Sequence, residues 1–257
     1  MPLIDLGDLR MHAFVSSKEA STSPPLILIH GAGGNHLHWP PPVRRLPGRS
    51  IYAVDLPGHG KSEGPGREAV ANYAQDIIAL MNAENLSTAI FGGHSMGGAI
   101  AQTLALTVPG RTSGLILIGT GAKLRVTSAI LDSIPHATNQ AIDFIMQYAF
   151  GPTASEKLKQ VAYDELNTID PQVLLNDYHA CNQFNLMAQV KHIDAPTLVV
   201  CGSHDQMTPP KFSHYLAETI PNAQLTTIKE GGHMMMSEQP QAVAAALTAW
   251  LDATYGR

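Results

Sequence analysis

The chain has 257 residues, of which 44% are hydrophobic and only 14% charged, and its formal net charge is −5. That composition belongs to a folded chain with a full core and excludes a disordered or low-complexity protein. The acidic balance lacks the basic footprint that nucleic acid or an anionic membrane surface requires, so neither is an expected partner.

The N-terminal segment has no basic stretch followed by a long apolar run. Neither a signal peptide nor a spanning helix is expected, and cytoplasmic residence follows. Residues 3–6 and 10–15 flank Gly7-Asp8 and read as an opening antiparallel hairpin. Short apolar runs at 26–30, 51–55, 88–92, 115–118, 198–201 and 224–228 read as buried strands. Their alternation with helical stretches predicts an α/β fold: a mostly parallel central sheet with helices on both faces. Between two of these strands Val70, Tyr73, Ala74, Ile77, Ile78 and Met81 recur three and four apart, which predicts an amphipathic helix over 70–81. A final helix is expected from Pro240 through Val243, Leu247, Trp250 and Leu251.

The alternation stops between about 123 and 190, where helical fragments break at Pro135, Gly151-Pro152 and Asp170-Pro171. We therefore divide the chain into a core, 1–122 with 191–257, and a helical cap insertion, 123–190. The insertion holds Phe144, Tyr148, Phe150, Tyr163, Tyr178 and Phe184 together with Met146 and Met187. An apolar lid over a pocket has this composition, and so do helices simply docked on a core.

The run 88–92 leads into Gly93-His94-Ser95-Met96-Gly97-Gly98 and then a helical stretch, 99–106. A serine on a sharp strand-to-helix turn, with glycine two positions before and after it, has its hydroxyl lifted clear of the sheet. It also sits at a helix N-terminus, which favours developing negative charge. Acyl transfer needs a second N–H aimed at the same oxyanion. His30-Gly31-Ala32-Gly33-Gly34 supplies such a loop, giving Ala32 and Met96 N–H as the pair and leaving His30 as a support for the loop. Serine is a weak nucleophile and needs a base with an acid partner. His233, in Glu230-Gly231-Gly232-His233, follows one strand, and Asp205, in Cys201-Gly202-Ser203-His204-Asp205, follows another. His94 is expected to point away from Ser95 because it is its neighbour on the turn, and Asp55 to fix the Pro57-Gly58 turn.

Cys181 and Cys201 show no metal or redox spacing and read as structural. His36 and His38 have no nearby ligand set in the sequence, so no metal is expected. No cofactor is implied either. For the pocket, Phe144, Met146, Tyr148 and Met234 are candidates, Met234 with the alternative of packing beneath its loop. Trp39 is a further candidate, with an amphipathic surface position as its alternative.

Taken in order, His30-Gly31-Ala32-Gly33, Asp55-Leu56-Pro57-Gly58-His59-Gly60-Lys61-Ser62, Gly93-His94-Ser95-Met96-Gly97-Gly98, Gly202-Ser203-His204-Asp205 and Gly232-His233 resemble the motifs of the α/β-hydrolase superfamily. The likeness is to its capped esterase, lactonase and C–C hydrolase-like group. It implies Ser95, Asp205 and His233 as a catalytic triad and a small-molecule ester or lactone as substrate, for a monomer or homodimer. Dehalogenases and epoxide hydrolases of the group use Asp where this chain has Ser95. The C–C hydrolases have Asn before the nucleophile, a cap Arg and an aromatic after the His, whereas this chain has His94 and Met234, and its only insertion Arg, Arg125, lies near the edge. The insertion carries more acidic than basic residues, so a strongly acidic carrier protein would be repelled. The expected activity is serine hydrolysis of a small, neutral, moderately apolar ester or lactone. C–C bond hydrolysis of a dienoate, or ligand reception without turnover, are the alternatives.

Overall fold

The computed structural model describes residues 3–16 and 23–256; the start of the N-terminal segment considered above, Met1 and Pro2, lies outside them. Eight strands form one sheet: β1 (Leu3–Asp5), β2 (Arg10–Ser16), β3 (Leu26–Ile29), β4 (Ile51–Val54), β5 (Ala89–His94), β6 (Thr112–Ile118), β7 (Thr197–Gly202) and β8 (Ala223–Ile228). Their spatial order is β1-β2-β4-β3-β5-β6-β7-β8. β1 and β2 pair antiparallel, β2 joins β4 antiparallel, and every later pairing is parallel. The predicted hairpin and the mostly parallel sheet are both present.

Continuous apolar runs are what a strand covered on both faces requires. In β3, β4, β5 and β7 every residue is buried. The two-residue period then divides each strand between two cores. Ile27 and Ile29 pack on one face with Tyr73, Ile77 and Leu80 of helix α2 (Val70–Ala83) and Ile100 and Leu104 of helix α3 (Met96–Thr107). Leu26 and Leu28 pack on the other with Val43 of α1 (Pro41–Arg44) and Val243, Leu247 and Trp250 of the last helix (Pro240–Tyr255). The helix predicted over 70–81 runs two residues further, to Ala83.

Between β6 and β7 lie three helices, α4 (Ser128–Ala149), α5 (Glu156–Leu166) and α6 (Pro171–Gln183). The break expected at Pro135 is present as a kink within α4: Ala137, two residues on, has non-helical dihedrals (φ −153°, ψ 59°). Asp170 caps α6 by accepting from Gln172 N–H at 2.8 Å, with Pro171 at the first helical position. These helices have their own apolar cluster, built on Ile130, Ile134, Ile142, Ile145, Leu166, Leu174 and Tyr178. The segment leaves and rejoins the sheet at one place: Lys123 bridges Asn185, and Leu186 N–H donates to Ala122 at 2.7 Å. α7 (Pro210–Thr219), α8 (Met235–Glu238) and α9 (Pro240–Tyr255) complete the chain. Among the described residues no helix is long and apolar enough to cross a membrane.

Candidate active site

Ser95 stands between β5 and α3 with φ 52° and ψ −114°, a positive φ that costs a residue with a Cβ about 1–3 kcal/mol. The surrounding glycines are required by space: a Cβ on Gly93 would collide with the Gly97 carbonyl, and one on Gly97 with that of Ile29. The helix begins at Met96, three residues earlier than the sequence pattern suggests, and has no side-chain cap. Gly98 and Ala99 N–H return to the Ser95 carbonyl. The Met96 N–H remains among the leading donors that a helix leaves unpaired.

The loop after β3 presses against this turn. A Cβ on Gly31 would lie 3.1 Å from the Ser95 Cβ. His30 is fully buried and supports the loop: its Nδ1–H donates to the Gly31 carbonyl at 2.8 Å, and its Nε2 accepts the Leu56 N–H at 3.0 Å. One nitrogen donating and one accepting defines a neutral ring. Burial, and next the charge of His59, push its pKa down to about 3. A trans peptide directs its C=O and N–H oppositely, so anchoring the Gly31 carbonyl also orients the Ala32 N–H.

Asp205 and His233 come together at the ends of β7 and β8. His233 Nδ1–H donates to Asp205 Oδ2 at 3.0 Å, and both side chains are buried. The same carboxylate accepts from Thr208 Oγ1 at 2.7 Å and from the N–H groups of Met207 and Thr208 at 2.9 and 2.8 Å. Burial opposes its ionisation, but His233 and these donors outweigh that and hold its carboxyl below the usual range. The His233 loop is tied to the end of α4, since Glu238 accepts from both Gly151 and Gly232 N–H and Met234 N–H donates to Ala149.

His94, the neighbour of Ser95 on the turn, lines the same cavity as Ser95 and is not idle. Its Nε2–H donates to the His233 carbonyl at 2.9 Å, with the two rings 4.6 Å apart. Burial, then His233, hold its pKa well below the ordinary value, so it remains neutral.

Ser95 and His233 border one apolar cavity, whose floor includes Ala32 and whose roof is drawn from α4, α5 and α6. Of the pocket candidates, Met146 and Met234 line it. Phe144 and Tyr148 line an adjoining cavity toward the outside, their rings 5.1 Å apart. Trp39 lines neither: it is fully buried against Val43 and Leu46 on the opposite face of the sheet, and both positions expected for it are corrected. The sequence reading missed Ile145, Leu166 and Tyr178, which line the cavity. Their signal was available as the apolar faces of α4, α5 and α6. Thr208 was also missed, although an Asp followed three residues later by Thr is a local capping pattern.

His36 does meet two potential ligands, His12 from β2 and Asp55 after β4, which lie far away in sequence. Asp55, however, accepts from His12 Nδ1, His36 Nδ1, and the N–H groups of His36 and Lys61. Its oxygens are thereby committed to holding the turn after β4, the role expected for it. His38 goes elsewhere, into the wall of the Ser95 cavity.

Residues 26–246 match the Alpha/beta hydrolase family. "Lipase 3" of Moraxella sp. (strain TA144) is 31% identical, with 96% of this chain and 82% of that protein covered. A protein of Pseudomonas syringae pv. syringae (strain B728a) named "Putative carbamate hydrolase RutD" is 28% identical, over 94% and 98% of the two chains. The enol-lactonase from Burkholderia xenovorans LB400 superposes with a TM-score of 0.90 at 22% identity, covering 97% and 99%. That last likeness bears on the fold.

Proposed function

Since the chain belongs to the α/β-hydrolase family and is a hydrolase on that fold, we propose that it is a serine hydrolase cleaving a carboxylic ester or lactone of a small, neutral, moderately apolar substrate. One observation carries this reading. A strained Ser95 at the head of a helix borders the same apolar cavity as His233, whose ring is held by Asp205.

In this mechanism His233 Nε2 takes the Ser95 proton as Oγ attacks the substrate carbonyl. The Ala32 and Met96 N–H groups receive the oxyanion. Collapse expels the alkoxide, which takes that proton from His233; a water deprotonated by His233 then attacks the acyl-enzyme, and His233 returns the proton to Ser95 Oγ as the acid leaves. Asp205 keeps the proton on Nδ1 and balances the imidazolium. The segment 123–190 is a cap over this centre, and its side chains, among them Met146, Leu166 and Tyr178 in the cavity wall, select the acyl or lactone group.

The test is a fluorophosphonate probe followed by a substrate panel. Rapid labelling that disappears in Ser95→Ala is expected, with turnover of short aryl esters or lactones. No labelling of folded protein sinks the serine mechanism and leaves a receptor. Preference for a dienoate, or for a carbamate such as the Pseudomonas relative's name denotes, overturns the ester assignment.

A further inference from the structure

Asp177 is a charged residue on the buried face of α6, between Leu174 and Tyr178, and is wholly shielded from water. A buried carboxylate is stable only when donors satisfy it. Three converge on this one from three parts of the core: Gly33 N–H at 2.8 Å and His59 Nε2–H at 2.8 Å on Oδ2, and the Tyr73 hydroxyl at 2.5 Å on Oδ1. His59 also directs Nδ1–H at the Pro57 carbonyl, 3.0 Å away. Both ring nitrogens thus face acceptors, which only the imidazolium satisfies. His30, 4.9 Å from His59 between ring centres, has the opposite arrangement and is neutral.

These contacts converge on the loop that carries Ala32. Asp177 holds the peptide after Ala32 through Gly33 N–H, and His30 holds the peptide before it through the Gly31 carbonyl. A cation at His59 discourages a second proton on His30, which would remove the acceptor for Leu56 N–H. We propose that Asp177 is a positioning residue for the oxyanion loop, acting directly on Gly33 and as the counter-ion of His59, so that oxyanion binding is complete only when α6 is docked on the core. The proposal rests on the serine-hydrolase reading above.

Asn176 is the control. It ties the same helix to the core through the Gly66 carbonyl at 3.3 Å and, among the described residues, makes no hydrogen bond to the loop. Ser95→Ala, Asp177→Asn, His59→Gln, their Asp177/His59 double variant and Asn176→Ala are compared in the full chain for fluorophosphonate labelling rate, kcat and KM on an aryl ester, and thermal midpoint. A displaced donor should cost somewhat less than a deleted one, on the order of 10- to 100-fold. Asp177→Asn should therefore slow labelling and lower kcat by that factor with KM within twofold. The double variant should be no slower than the worse single one. Asn176→Ala should lower only the thermal midpoint.

A loss in Asp177→Asn confined to KM or stability, or equal slowing in Asn176→Ala, overturns the proposal. If Asp177→Asn does not fold, His59→Gln decides, and labelling at the parent rate overturns it. Labelling that survives Ser95→Ala overturns the serine reading and the proposal with it. Labelling lost in Ser95→Ala but unslowed in Asp177→Asn overturns the proposal alone.

Discussion

The ring of His94 holds the backbone of His233: Nε2–H meets the carbonyl at 2.9 Å inside the protein. The residue beside Ser95 therefore anchors the backbone of the residue proposed as its base. Replacing His94 with Phe keeps a ring but removes the donor, leaving a buried carbonyl unpaired at a cost of about 1–3 kcal/mol. We expect a lower thermal midpoint and roughly a tenfold lower kcat in His94→Phe, measured by calorimetry and ester turnover. Parent kcat would show that the loop is held by Glu238 and Ala149 alone.

Ser95→Gly should abolish labelling and yet fold at least as stably as the parent. The positive φ at Ser95 costs about 1–3 kcal/mol, and glycine removes that strain against an entropic penalty of about 0.5–1 kcal/mol. Chemical denaturation of the two proteins measures the difference. A clear loss of stability would mean that the turn is not strained.

Stability should fall on the alkaline side through His59. Burial alone would discharge this ring, but Asp177, its hydrogen bond and the Pro57 carbonyl more than offset burial and raise its pKa above the ordinary 6.5. Its other charged or titratable neighbours are Tyr73 of α2, His30 and His38 after β3, and Asp55 after β4. Because the folded value is raised, the contribution is complete below about 6.5 and lost as pH rises through the folded value. A plot of thermal midpoint against pH should decline above neutrality in the parent and lose that component in His59→Gln. Identical slopes would contradict a charged His59.

Leu166 reaches the Ser95 cavity from the end of α5. Leu166→Ala should shift the preferred acyl chain toward longer esters, with kcat/KM for the longest rising severalfold relative to the shortest. The truncation also costs stability, about 2–5 kcal/mol for a core leucine and less here because one side already faces a cavity. An unchanged chain-length profile would place the acyl group elsewhere.

The sheet was legible because buried parallel strands are continuous apolar runs, and β3, β4, β5 and β7 are such runs. The Ser95 turn was legible because two glycines are sterically obligatory there. The pairing of Asp205 with His233 could be anticipated because each follows a strand at the same edge of the sheet. Trp39 was misplaced because a loop residue shows no periodicity that separates one face of a sheet from the other. Asp177 was not legible as a buried residue, since its partners Gly33, His59 and Tyr73 lie more than a hundred residues away in sequence. A lone carboxylate within an apolar helical stripe was the trace it left.

The pairing of Lys123 with Asn185 closes the stem of the three-helix segment, so the chain departs from the sheet and returns to it through a single neck. Such a neck lets the intervening helices be exchanged, lengthened or remodelled without re-registering any strand. On the function proposed above, selection acting on the acyl group can then work on one cassette while the hydrolytic chemistry stays with the sheet. The freedom has one condition: a cassette that fits the neck must still present an acceptor to Gly33 and His59, or it inherits the sheet without its full reactivity.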